Sequence, residues 1–168
     1  MQPHDRADGH GEPWATAVLL HPHPAMGGDR FNNVVDAWYC ALPPHGVTCV
    51  RFDFTSSDVD AAAEATSSML EVVGDAFLLG YSFGASVAAS VTDARVRGWF
   101  LVAPPTAVIS EGERRPSAVV WAQHDQFVQP YHVAGAEVHV VEGADHFFVG
   151  RTDVLADLAL AFLRTATH

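Results

Sequence analysis

The sequence predicts a single α/β domain built on a mainly parallel sheet with helices on both faces, and three observations carry that expectation. Short, continuous apolar runs recur along the chain, the pattern of strands covered on both faces, as in parallel sheets. Between most of them lie stretches with helical apolar spacing. Composition agrees, since 49% of the residues are hydrophobic and 17% charged, the profile of a chain with a well-buried core. A length of 168 residues suffices for one such core and not for two.

The elements follow in order. Residues 1–13 are polar, His-rich and glycine-containing, and are expected to form a flexible tail before a domain spanning 14–168. Residues 17–21 (AVLLH) are an apolar run closed by proline, a buried strand. Residues 32–42 have a mixed apolar pattern that stops at Pro43-Pro44, a helix with a hard end. Residues 47–54 (VTCVRFDF) are rich in β-branched and aromatic side chains, a second strand. Asp58 stands where an N-cap belongs, and Glu64, Met69, Leu70 and Val73 follow in an Ala-rich helical stretch that Gly74 ends. Residues 76–79 (AFLL) are a third strand, 83–91 a third helix and 98–102 (GWFLV) a fourth strand. Residues 118–121 (AVVW) and 138–141 (VHVV) add two more strands, and 153–164 a closing amphipathic helix. The count comes to about six strands in a doubly wound sheet. Residues 103–116, with the charged EGERR run, read as a solvated loop too short for a cap domain.

Charge excludes some functions. The formal net charge is −11, and all nine basic residues are arginine. Nucleic acids and anionic membranes need basic patches, and the nearest approach to one, Arg114-Arg115, is flanked by Glu111 and Glu113. No stretch is long and apolar enough to span a bilayer, and the first residues lack the basic start and apolar run of a secretory signal. A cytoplasmic protein with reduced thiols is expected. Cys40 and Cys49, both among apolar neighbours, read as small buried hydrophobes rather than a disulfide.

The chemistry centres on Gly80-Tyr81-Ser82-Phe83-Gly84, between the third strand and its helix. Alone, G-x-S-x-G is a weak signal, and a plain glycine-rich turn is its ordinary explanation. The apolar strand before it and the helix after it supply the setting in which the pattern holds a nucleophilic serine clear of the sheet. A serine hydroxyl then needs a base, and the base an orienting acid. His146 follows the last strand in GADHFF, and Asp125 follows the fifth in WAQHD. Both fall at carboxyl ends of parallel strands, the edge where open α/β sheets bind ligands. Asp53 and Asp145 are rival acids. His124 is a weaker base, because it shares a loop with Asp125. His21, His23 and His124 form a weak metal pattern without convincing third and fourth ligands.

Taken together, the chain resembles the α/β-hydrolase superfamily, and within it the compact dienelactone-hydrolase-like proteins. The residues that carry the likeness are the Ser82 turn, Asp125 and His146 in that order, and His21-Pro22-His23-Pro24 followed by Gly27-Gly28. Asn32-Asn33, the Arg51–Phe54 segment and Val102-Ala103-Pro104-Pro105 add to it. The resemblance implies a Ser82–Asp125–His146 catalytic triad and an oxyanion hole of two backbone N–H groups. One is that of Phe83; the other comes from the HPHP loop, His23 first and Met26 second. Two departures stand out. There is room only for a tail where relatives carry an N-terminal β-hairpin, and Thr55-Ser56-Ser57-Asp58 replaces a glycine-containing loop. An edge strand left bare by the missing hairpin offers a surface to a second copy, hence a homodimer.

The expected function is hydrolysis of a small-molecule carboxylic ester, lactone or thioester through an acyl-enzyme on Ser82, with no cofactor and no metal. The rivals are lyase, cyclase or acyl-transfer chemistry at the same site, and a binding module that kept the scaffold without catalysis. Tyr81, Phe127, Phe147 and His21 are the expected substrate-pocket residues. Phe83 and Phe148 complete a set of aromatics expected to divide between pocket and core. Asn32 and Asn33 are expected to cap the first helix or to brace the loop before it.

Overall fold

The computed structural model describes residues 2–168. Seven strands form one sheet in the order β1-β3-β2-β4-β5-β6-β7. They are β1 (His4–Ala7), β2 (Ala15–Leu20), β3 (Val47–Phe52), β4 (Ala76–Tyr81), β5 (Val96–Val102), β6 (Ser117–Ala122) and β7 (Glu137–Val141). The helices are α1 (Asn33–Ala41), α2 (Val59–Val73), α3 (Phe83–Ser90) and α4 (Thr152–Ala166). All neighbouring strands run parallel except β1, which pairs antiparallel with β3.

The apolar runs are buried on both faces because helices cover both. Along β2, Ala17 and Leu19 point into one core, with Val34 and Trp38 of α1 and Leu155, Ala159 and Leu163 of α4. Val18 and Leu20 point into the other, with Met69 and Leu70 of α2 and Ala85 and Val87 of α3. The caps are those the sequence suggests: Asn32 accepts the Val34 N–H, and Asp58 accepts the Ala61 N–H. Among the described residues, no helix is long and apolar enough to cross a membrane.

The first strand corrects two expectations. Residues 4–7 are not a flexible tail, and the edge of β3 is not bare, because His4 pairs with Phe52 and Ala7 with Cys49. The cause is a non-local charge network. Asp5 accepts from Nε of Arg30 at 3.0 Å and Nε of Arg51 at 3.2 Å, while Arg51 Nη1 reaches Asp36 at 2.8 Å. The Arg51 guanidinium lies over the Tyr39 ring, 3.8 Å from its centroid, and is 7% exposed. Burial pushes the Asp5 carboxyl upward, but the two arginines outweigh it and hold the group below its ordinary range. The strand is thus fixed by an ionic anchor where apolar burial is scarce. It removes the reason for expecting a dimer at this edge. Cys40 is a second correction: it is exposed, and only Cys49 is buried, its thiol pushed up to about 12 by burial.

The chain reverses its direction of build at β2 and β4. The connection leaving β2 enters α1 on one face, and that leaving β4 enters α3 on the other. A crevice opens between two such diverging connections, at the carboxyl ends of the strands. It holds the site.

Candidate active site

Ser82 stands between β4 and α3 with φ 53° and ψ −119°, a left-handed backbone that a non-glycine residue adopts at a cost. What forces it is close packing. A Cβ on Gly80 would lie 2.3 Å from the Gly84 carbonyl oxygen, and one on Gly84 only 2.1 Å from that of Leu20. Both flanking positions therefore admit only glycine, and α3 starts hard against β4 and β2. The Ser82 N–H donates to Val102 O at 2.8 Å, fixing the turn. Phe83, the first residue of α3, has no intrahelical acceptor for its own N–H.

The structure brings Ser82, His146 and Asp125 together. Ser82 Oγ lies 3.0 Å from His146 Nε2, and His146 Nδ1 lies 2.7 Å from Asp125 Oδ2. The other carboxylate oxygen of Asp125 accepts the N–H groups of Phe127 and Val128, both at 2.8 Å. With a carboxylate oxygen facing it, Nδ1 carries the proton, which leaves Nε2 to accept from the serine hydroxyl. Asp125 is 9% exposed and His146 8%, so water competes weakly for these contacts.

Three further bonds hold the histidine loop. The Tyr81 phenol donates to the His146 carbonyl at 2.5 Å, the His146 N–H donates to Gln126 Oε1 at 3.3 Å, and Asn33 Nδ2 donates to the Phe147 carbonyl at 3.1 Å. Burial raises the Tyr81 phenol well above its ordinary value, with Asp125 and Asp145 adding to the shift, so it remains a donor. Asn32 caps α1 as expected, whereas Asn33 braces this distant loop and not the one before α1. Gln126 had a local signal in its position next to Asp125; Tyr81 had none for this role.

The rival groups are engaged elsewhere. Asp53 accepts the Arg30 N–H at 2.8 Å and pairs with its guanidinium. Asp145 accepts the Phe147 N–H in its own turn, and His124 is exposed. Among the described residues, no three His, Cys, Asp or Glu side chains are grouped to hold a metal ion.

A cleft of about 520 Å³ runs past Ser82 and His146. Tyr81, Phe127 and Phe147 line it, as do Val59, Ser86 and Pro105, which sequence reasoning did not single out. Ser86 lies one turn beyond Ser82 on α3, a signal that was available. The aromatics divide: Phe148 is wholly buried, while Phe127 and Phe147 are exposed at the rim. His21 is a correction, because it does not line the cleft. Its ring is fully buried, with Nδ1 2.6 Å from the Pro22 carbonyl and Nε2 accepting the Phe54 N–H at 2.8 Å. Of the two loop donors, the Met26 N–H is committed to the His23 carbonyl at 3.1 Å. The His23 N–H has no partner among the described residues.

Known structures share this architecture. An α/β serine hydrolase homologue from Coxiella burnetii is 29% identical and superposes with a TM-score of 0.81, over 95% of this chain and 90% of its own. The fold is that of the α/β hydrolases. An α/β serine hydrolase without a lid from Xanthomonas campestris has the same α/β-hydrolase fold, at 25% identity and a TM-score of 0.72, over 97% of this chain and 89% of its own. An uncharacterized protein of Rickettsia prowazekii is 24% identical over 175 residues, covering 82% of this chain and 73% of its own. No family model matches the chain. The α/β-hydrolase neighbours support a hydrolase, and the connection from β5 to β6, residues 103–116, adds no lid over the cleft.

Proposed function

We propose that the protein is a serine hydrolase that cleaves a carboxylic ester, lactone or thioester through an acyl-enzyme on Ser82. One observation carries the reading: the unbroken line from Ser82 Oγ through the His146 ring to Asp125, at 3.0 and 2.7 Å. In this mechanism Ser82 Oγ bonds to the carbonyl carbon as His146 Nε2 takes the hydroxyl proton. Asp125 holds the ring in the required tautomer and stabilises the imidazolium. The tetrahedral oxyanion lies against the N–H groups of Phe83 and His23, each worth about 3–4 kcal/mol of barrier. The bond from the carbonyl carbon to the leaving group breaks, C–O in an ester or lactone and C–S in a thioester, and His146 gives its proton to the departing oxygen or sulfur. Water then attacks the acyl carbon, its proton passing to His146 and back to Ser82 Oγ as the acid departs.

The HPHP loop with its GG supports placing the protein in the dienelactone-hydrolase-like group, and the open cleft favours small or extended esters. A cytoplasmic setting, with Cys40 and Cys49 as thiols, accompanies this reading. Turnover of short p-nitrophenyl esters, with release of free acid, is expected of the wild-type protein. Ser82→Ala is expected to fall to background and to lose labelling by a fluorophosphonate. Persistent labelling of that variant refutes the assignment of the nucleophile.

A further inference from the structure

The chain carries 20 acidic and nine basic residues, yet none of the residues lining the cleft is Asp, Glu, Lys or Arg. The ionisable side chains that reach it are two imidazoles, His23 and His146, and the buried Tyr81 phenol. Its other polar groups are neutral. Ser86, 4% exposed, accepts the Thr106 N–H on its hydroxyl oxygen at 3.1 Å, so the far wall is held by an uncharged bond. Phe83, Phe127, Phe147, Val59 and Pro105 supply the apolar surface. None of the nine arginines lines the cleft, and six of them are held in ion pairs. Arg30 and Arg51 pair with Asp5, Asp36 and Asp53 around β1 and β3, while Arg95, Arg97 and Arg115 pair with Asp93, Asp75 and Glu113 at the amino ends of β5 and β6. Those amino ends lie at the edge of the sheet opposite Ser82.

From this we infer that the cleft selects esters whose acyl part is uncharged and expels the carboxylate that hydrolysis leaves behind. The inference rests on the serine-hydrolase reading and gives it a substrate class. A carboxylate entering the cleft surrenders its hydration without gaining a counter-ion, and it approaches against the field of a protein with net charge −11. A neutral alkyl or aryl acyl group meets neither penalty and gains apolar contact. The same contrast operates during turnover. The ester enters neutral, and the acid released from Ser82 ionises, so the cleft loses affinity for its product as that product forms.

Two fluorophosphonates of equal chain length test this on the full chain, one with a plain alkyl tail and one whose tail ends in a carboxylate. Both react by one step: the Ser82 Oγ–phosphorus bond forms, the phosphorus–fluorine bond breaks, and the hydroxyl proton passes to His146. The neutral probe is expected to label Ser82 about tenfold faster, the part of an unpaired ion's desolvation cost that an open cleft imposes. Butyramide is expected to slow labelling by the neutral probe at concentrations roughly tenfold lower than butyrate requires. Thr106→Arg, which places a cation at the exposed rim, is expected to narrow the gap between the probes about threefold. Equal labelling by both probes in the wild-type protein overturns the inference and leaves the hydrolase reading standing. Labelling by neither, in folded protein, removes that reading itself.

Discussion

Replacing Tyr81 by phenylalanine removes one oxygen atom and tests how His146, the proposed base, is held. The phenol donates to the main-chain carbonyl of His146 itself, at 2.5 Å, from a side chain 2% exposed. It therefore ties the residue before Ser82 to the loop that must face Ser82. Phenylalanine keeps the ring packed near Phe148, with centroids 6.0 Å apart in the wild type, but leaves the carbonyl without its donor. An unsatisfied buried acceptor costs about 1–3 kcal/mol. In a domain of this size that corresponds to a fall in Tm of roughly 2–10 °C. The remaining restraints are the Asp125 contact to the His146 ring at 2.7 Å and, on the main chain, the Gln126 contact at 3.3 Å and the Asn33 contact at 3.1 Å. Asp125 keeps the ring's tilt, but the two main-chain contacts are long and leave the His146 backbone free to shift relative to Ser82. Displacement of a reacting group by about 1 Å costs on the order of 100-fold in rate, so kcat is expected to fall about 10- to 100-fold. KM should change little, because the lost oxygen faces the His146 carbonyl. The assays are thermal unfolding and steady-state hydrolysis of a short p-nitrophenyl ester. Wild-type Tm and wild-type kcat together refute the tether.

Three other outcomes follow from the same geometry. Asp125→Asn keeps an oxygen for the Phe127 and Val128 N–H groups but turns an NH₂ toward His146 Nδ1. Ester kcat is therefore expected to fall about 10⁴-fold with the fold intact by circular dichroism, and a loss under tenfold rejects the orienting role. Gly84→Ala drives a Cβ to 2.1 Å from Leu20 O and is expected to destabilise the protein by about 3 kcal/mol in urea titrations. Gly112→Ala, which meets nothing within 4 Å, should change stability by less than about 0.5 kcal/mol. Burial holds the His21 imidazole below its ordinary 6.5, against opposing pulls from the Pro22 carbonyl, Asp53 and Asp29. The unfolded chain thus takes the proton first. The stabilisation is complete above pH 6.5 and is lost as pH falls through the folded value, by up to about 1.4 kcal/mol per pH unit. Urea midpoints at about pH 8 and pH 5.5 should differ less in His21→Asn than in the wild type, and equal differences reject this assignment.

Much of the sheet was legible because its signal is local. A parallel strand buried on both faces is a continuous apolar run, so residues 17–21, 47–54 and 118–121 announce β2, β3 and β6 to within a few residues. The Ser82 turn was legible for a steric reason: two glycines at fixed spacing mark where backbones pass too close for a Cβ. β1 was illegible for the opposite reason. HDRA has no apolar pattern, and its place is set by Arg30 and Arg51, which lie 25 and 46 residues away along the chain. His21 was misjudged as a pocket residue, and Tyr81, which does line the cleft, also donates to the His146 carbonyl. Aromatic or imidazole character declares an ability to line a pocket or to donate, and does not declare which neighbour will be in reach.

What the sequence determined by itself was the helices and every strand but β1, together with the strained serine turn, because each depends on residues close together along the chain. The tertiary structure alone decided that Asp125 is the aspartate facing His146, and that the cleft is walled without a formal charge. Those are distances between side chains tens of residues apart, fixed only when both faces of the sheet are packed.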